Sequence, residues 1–143
     1  MHARRRTSAL IVGALTVLAT ALTAPAAHAG GYGCSGSSSW SGPVYDAWGR
    51  QAGTIYDYFD GSRNCSVFVK GAYENQATYT SIRIENQKGG YDPASGDSGM
   101  YRTFAGPATI DGVGTCIREM VWMRTPDSTK FVDNYYTPWH SCG

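Results

Sequence analysis

Histidine is almost missing from this chain: of three, His2 and His28 fall within the first 29 residues and only His140 lies beyond them. A chemistry that needs an imidazole base has one candidate there, and no pair of histidines can anchor a metal ion. Cysteine is sparse as well. Cys34, Cys65, Cys116 and Cys142 are far apart with no C-x-x-C pair, which sets aside zinc ribbons and thioredoxin-type redox motifs. The sequence therefore predicts neither a metal site nor a cofactor. Charged residues make up only 16% of the chain, and the nine Lys and Arg after Arg6 are scattered singly. A groove that tracks nucleic-acid phosphates needs a stripe of cations, so nucleic acid is not an expected partner.

Only one long uncharged run occurs. It stretches from Thr7 to Ala24, follows Arg4-Arg5-Arg6 and precedes Ala27-His28-Ala29. A basic head, an apolar stretch and small residues before the cut define a secretory signal peptide, with cleavage expected after Ala29. Arg5-Arg6 also fits the twin-arginine route, but Thr7-Ser8 stand where an apolar residue is usual, and export of an unfolded chain is the expectation. Residues 30–143 then form one secreted domain carrying nine Lys and Arg against eleven Asp and Glu, a net charge of −2. No second apolar span follows, so no membrane contact is expected once the signal is removed.

A domain of this length has a modest core, and small exported domains commonly add disulfides. Four cysteines allow three pairings. Cys65 with Cys116 and Cys34 with Cys142 is the favoured one, because the first two sit in strand-like runs and the others lie near opposite ends of the domain, which are often close in space.

The body of the chain reads as many short strands. Gly30 to Gly42 is a Gly/Ser-rich, irregular lead, and Val44 to Trp48 a short strand. Thr54 to Phe59 turns through Asp60-Gly61-Ser62-Arg63 into Asn64 to Lys70, the clearest hairpin. Within its second arm Cys65, Val67 and Val69 share a face, predicted to be the core face. Thr78 to Glu85 alternates like a half-buried strand. Asn86 to Gly99, rich in glycine and aspartate, reads as a long surface loop. Met100 to Ala105 and Ala108 to Ile110 are strands either side of a break at Gly106-Pro107. Thr115 to Arg124 is apolar on both parities, a central strand or one with a bulge; Ile117, Val121 and Arg124 also fit helical spacing, though Val121-Trp122 and the flanking strands argue for strand, and Lys130 to Val132 is a last strand. The fold class expected is all-β: a small antiparallel sandwich or barrel-like domain stapled by two disulfides.

Gly96-Asp97-Ser98-Gly99 matches the tetrapeptide around a chymotrypsin-type nucleophile, but no histidine precedes it in the secreted part, so a turn is the better reading. The succession of Gly53-Thr54-Ile55-Tyr56, Asn64-Cys65, Asp97-Ser98-Gly99-Met100-Tyr101, Ala105-Gly106-Pro107 and Gly114-Thr115-Cys116 resembles small secreted actinobacterial proteins of the spore-associated protein A type. The resemblance covers about half of the secreted part. It implies export, a disulfide-bonded β domain and association with aerial growth or spores, and it brings no catalytic residue.

Eighteen aromatic residues follow Ala29. Phe59, Phe68, Phe104 and Trp122 are expected in the core. Trp40, Trp48, Tyr56, Tyr58, Tyr135, Tyr136 and Trp139 are candidates for a binding surface, since exposed flat rings stack on sugars or on apolar partners. The functional expectation is a secreted, non-catalytic protein that binds a cell-wall or spore-surface polymer or an extracellular protein. The alternatives are a small hydrolase using His140 with a carboxylate not identifiable from sequence, and a protease inhibitor using Asn86 to Gly99 as its reactive loop.

Overall fold

A computed structural model describes residues 30–143; the signal-peptide reading falls on residues 1–29, outside the described part. Eight strands follow one another: β1 Ser37–Tyr45, β2 Gln51–Phe59, β3 Arg63–Lys70, β4 Thr78–Asn86, β5 Gly90–Tyr101, β6 Phe104–Asp111, β7 Ile117–Arg124 and β8 Lys130–Tyr136. They form two four-stranded antiparallel sheets, in the orders β1-β2-β3-β6 and β5-β4-β7-β8. The all-β expectation holds, as a sandwich.

The core lies between the sheets. Val44, Ile55, Phe68 and Ala105 from the first meet Ile82, Ile84, Ile117, Val121 and Met123 from the second, all fully buried. β7 shows why: Ile117, Glu119, Val121 and Met123 point inward and Arg118, Met120, Trp122 and Arg124 outward, the period of two that a central strand requires. Its register against β8 shifts between Val121 and Met123, so β7 combines a central place with a bulge on one side.

Three local readings need correction. Gly90–Tyr101 is strand β5 rather than part of a loop, and it pairs with β4 through Thr80↔Gly99, Ser81↔Ser98 and Ile82↔Asp97. Glycine, serine and aspartate have little strand preference of their own; pairing with β4 supplies what propensity does not. The same holds for β1, which begins at Ser37 inside the Gly/Ser-rich lead, pairs with β2 and ends at Tyr45, so the strand expected up to Trp48 gives way to a turn at Ala47-Trp48. Met100 to Ala105 is also not one strand: the chain turns at Arg102-Thr103 and passes from the second sheet to the first.

The disulfides join Cys34 to Cys65 and Cys116 to Cys142, not the favoured pairing. The cause is a face assignment. Both faces of β3 are buried: Asn64, Ser66 and Phe68 turn toward the second sheet, whereas Cys65 and Val67 turn away and pack in a separate cluster with Cys34, Tyr56, Tyr58 and Val69. Adjacent strand residues face opposite ways, so Cys65 is aimed at the lead that covers the outer face and not at Cys116.

Candidate functional site

The inward positions of β2 and β7 carry one carboxylate each among their apolar neighbours. Asp57 follows Ile55 on β2, and Glu119 lies between Ile117 and Val121 on β7; both are fully buried. Pairing sets Ser66 of β3 opposite Asp57. The C-terminal tail completes the group. His140 and Ile117 exchange both backbone hydrogen bonds, at 2.9 Å each, Thr137 N–H donates to Glu119 C=O, and the Cys116–Cys142 bridge pins the end. This lays the tail along the start of β7 and brings the His140 side chain, only 9% exposed, up against both carboxylates.

Glu119 is saturated with donors. Ser66 Oγ donates to Oε1 at 3.0 Å, and Thr137 Oγ1 at 3.0 Å and His140 Nε2 at 2.8 Å reach Oε2. With the carboxylate accepting, Nε2 is the protonated nitrogen. On the other edge of the ring, Nδ1 lies 3.1 Å from Ser141 Oγ and 3.3 Å from Asp57 Oδ2. Asp57 is treated differently from Glu119: among the described residues neither of its oxygens has a hydrogen-bond partner. Burial first, and the Glu119 carboxylate second, push its pKa far above the usual carboxylate range. The indole of Trp40 closes the group, stacked on the His140 ring with centroids 3.8 Å apart and planes 12° apart.

A second arrangement lies on the outer face of the second sheet. Two adjoining hollows of about 360 and 340 Å³ share Arg83, Met120 and Asn134. The first ends at Glu85 and Tyr136, the second at Tyr79 and Trp122, whose rings meet edge to face at 5.2 Å. At the Tyr136 end the Arg118 guanidinium, ion-paired with Glu85, lies 4.8 Å from the centroid of Tyr136 and 4.5 Å from that of Trp139. Tyr136 is 48% and Trp139 38% exposed.

The aromatic residues singled out from sequence are thus dispersed. Tyr136 and Trp139 flank one cation. Tyr56 and Tyr58 lie half-buried in the Cys34–Cys65 cluster, with Tyr32 stacked on Tyr56. Tyr135 packs against the core and donates to Pro43 C=O. Trp40 covers His140, and Trp48, 67% exposed at a turn, lies between Arg50, 4.9 Å from its centroid, and the Phe131 ring at 6.4 Å. All four cysteines are bonded. The sequence reading does not single out Asp57, Glu119, Ser66 or Thr137. One available signal is a carboxylate at a parity that is otherwise apolar, as in Ile55-Tyr56-Asp57 and Ile117-Arg118-Glu119-Met120-Val121.

Fold and sites together define a class: an all-β, disulfide-stapled sandwich with an outer aromatic–arginine groove and an internal acid–histidine group. No protein-family model, curated protein or solved structure matches the chain.

Proposed function

We propose that this is a secreted, non-catalytic domain that binds a polysaccharide of the cell wall or spore surface along the outer face of its second sheet. The observation that carries the reading is the Arg118 guanidinium over the exposed rings of both Tyr136 and Trp139, beside a groove that Tyr136 lines together with Glu85, Met120 and Asn134. Flat rings give a sugar an apolar face to stack on, and Arg, Glu and Asn supply the directional hydrogen bonds that hydroxyls need. An open groove also suits a polymer, which enters from the side.

The two disulfides are consistent with an oxidising extracellular setting. The hydrolase alternative has gained two carboxylates for His140, but a general base must reach its substrate, and this ring is stacked under Trp40 and almost wholly buried. The inhibitor alternative has lost its loop, since Gly90–Tyr101 is a paired strand. Binding is therefore the reading the geometry favours.

The test is co-sedimentation of the oxidised protein with insoluble peptidoglycan, chitin, cellulose and a spore-wall preparation. Retention on one polymer, competed by its soluble fragments and lowered at least tenfold in a folded Tyr136→Ala/Trp139→Ala variant, is the expected result. Retention unchanged in that variant moves the site elsewhere, and no retention on any polymer overturns the glycan reading.

A further inference from the structure

We propose that Asp57, Glu119 and His140 form a binding site for one divalent transition-metal ion of the zinc type, which clamps the two sheets and the C-terminal tail together. The three residues each offer one donor atom, and these atoms all lie within 4.8 Å of one another. They come from three separate parts of the chain: β2 of the first sheet, β7 of the second, and the tail.

Charge argues first. Two fully buried carboxylates face one imidazole, and such a pair needs either a shared proton or a cation between its members. A divalent ion with a neutral imidazole balances both carboxylates. The hydrogen bonding points the same way. Glu119 is fully supplied with donors, yet Asp57, equally buried and aimed at the same ring, has none among the described residues. A buried carboxylate without a donor, set beside a histidine, is free to coordinate an ion. The spacing also fits: ligand distances of about 2.0–2.2 Å place neighbouring donors of a tetrahedral site roughly 3.4 Å apart, and Asp57 Oδ2 lies 3.3 Å from His140 Nδ1. The 2.8 Å hydrogen bond from His140 Nε2 to Glu119 Oε2 keeps the proton on that nitrogen and leaves Nδ1, on the Asp57 edge, as the one ring nitrogen able to take the ion. Ser66, bonded to Glu119, supports the carboxylate from behind as second-layer groups do.

One nitrogen and two carboxylate oxygens select the class. Imidazole with carboxylate suits zinc and its neighbours, while calcium and magnesium prefer oxygen alone. The stack of Trp40 over the ring leaves little room for substrate, so the ion is structural. It also has a place to fill: Cys34–Cys65 ties the lead to the first sheet and Cys116–Cys142 ties the tail to the second, and neither bridge passes from one sheet to the other.

The experiment uses the full chain expressed in an exporting host and oxidised, stripped with chelator and titrated with Zn²⁺, Mn²⁺ and Ca²⁺. Expected are one Zn²⁺ per chain by elemental analysis, a melting temperature raised by about 10 °C at a hundredfold excess over Kd, and little effect of Ca²⁺. His140 is the single histidine after position 29, so ¹⁵N NMR of the imidazole reads the site directly: Zn²⁺ should move one ring nitrogen strongly. Asp57→Asn should abolish both effects. No bound zinc, binding that leaves the His140 nitrogens unmoved, or binding retained in a folded Asp57→Asn variant each overturns the proposal. Should that variant not fold, the imidazole spectrum of the unaltered protein decides. Polymer retention is a separate readout, so failure here leaves the groove reading standing.

Discussion

The carboxylate of Asp97 on β5 accepts a 2.7 Å hydrogen bond from the backbone N–H of Gly106 on β6, linking the two sheets where the chain passes between them. Its other oxygen accepts from Tyr101 Oη at 2.7 Å. Gly106 has φ +121°, and a Cβ there would lie 2.8 Å from Val67 Cγ1 and 3.0 Å from Ser66 C=O. The Asp-Ser-Gly and Ala-Gly-Pro elements that stand out in the sequence are therefore two halves of one crossover. Asp97→Ala should cost about 1–3 kcal/mol by leaving the amide unpaired, and Gly106→Ala about 2 kcal/mol or more through strain and crowding. Urea unfolding measures both, and an Asp97→Ala variant as stable as the parent would show that the link is idle.

Tyr101 carries the pH consequence. Its bond to Asp97 foremost, with burial adding, pushes the phenol up to about 12. The folded protein keeps this proton while the unfolded chain releases it near 10. The contribution to stability is thus fully present below about pH 10 and is lost as pH rises from there toward 12. Absorbance titration at 295 nm should show a late component after the bulk of the tyrosines, to which Tyr135, raised by burial, also contributes, and Tyr101→Phe should lower that component by one phenol.

Disulfide connectivity can be read chemically. Trypsin under non-reducing conditions should release Asn64 to Lys70 bound to the peptide that holds Cys34, separate from the pair carrying Cys116 and Cys142. Replacing Cys116 and Cys142 together by serine opens a bridge between residues 26 apart. The chain-entropy relation puts the loss at about 3–4 kcal/mol, and hydrogen exchange should rise first in the tail, including the His140 amide now bonded to Ile117.

Trp40→Ala removes the ring that covers His140. Because Trp40 also packs against the core, a loss of about 2–4 kcal/mol is expected. Trp48→Ala, at an exposed turn, should stay within about 0.5 kcal/mol and serves as the control.

Much of the fold is legible in the residues. The β2–β3 hairpin and β4 follow from turn chemistry and composition, because β-branched and aromatic residues recur along all three strands and the hairpin turn is Asp-Gly-Ser. β1 and β5 are not legible in the same way: serine, glycine and aspartate become strand only when a partner is alongside. The face of Cys65 is hidden for another reason. β3 is buried on both sides, so hydrophobicity alone does not say which side meets the second sheet, and the cysteine pairing inherits that ambiguity. Asp57, Glu119 and His140 are separated by most of the domain, and only packing brings them together.

The bridges join first to second and third to fourth, between residues 31 and 26 apart. Neither loop encloses the other and neither crosses it. A chain that emerges from its N-terminus presents Cys34 and Cys65 before Cys116 appears, so the order of emergence is itself the correct order of oxidation. Such a chain is expected to form both bridges with an oxidant alone, without an isomerase to reshuffle wrong ones.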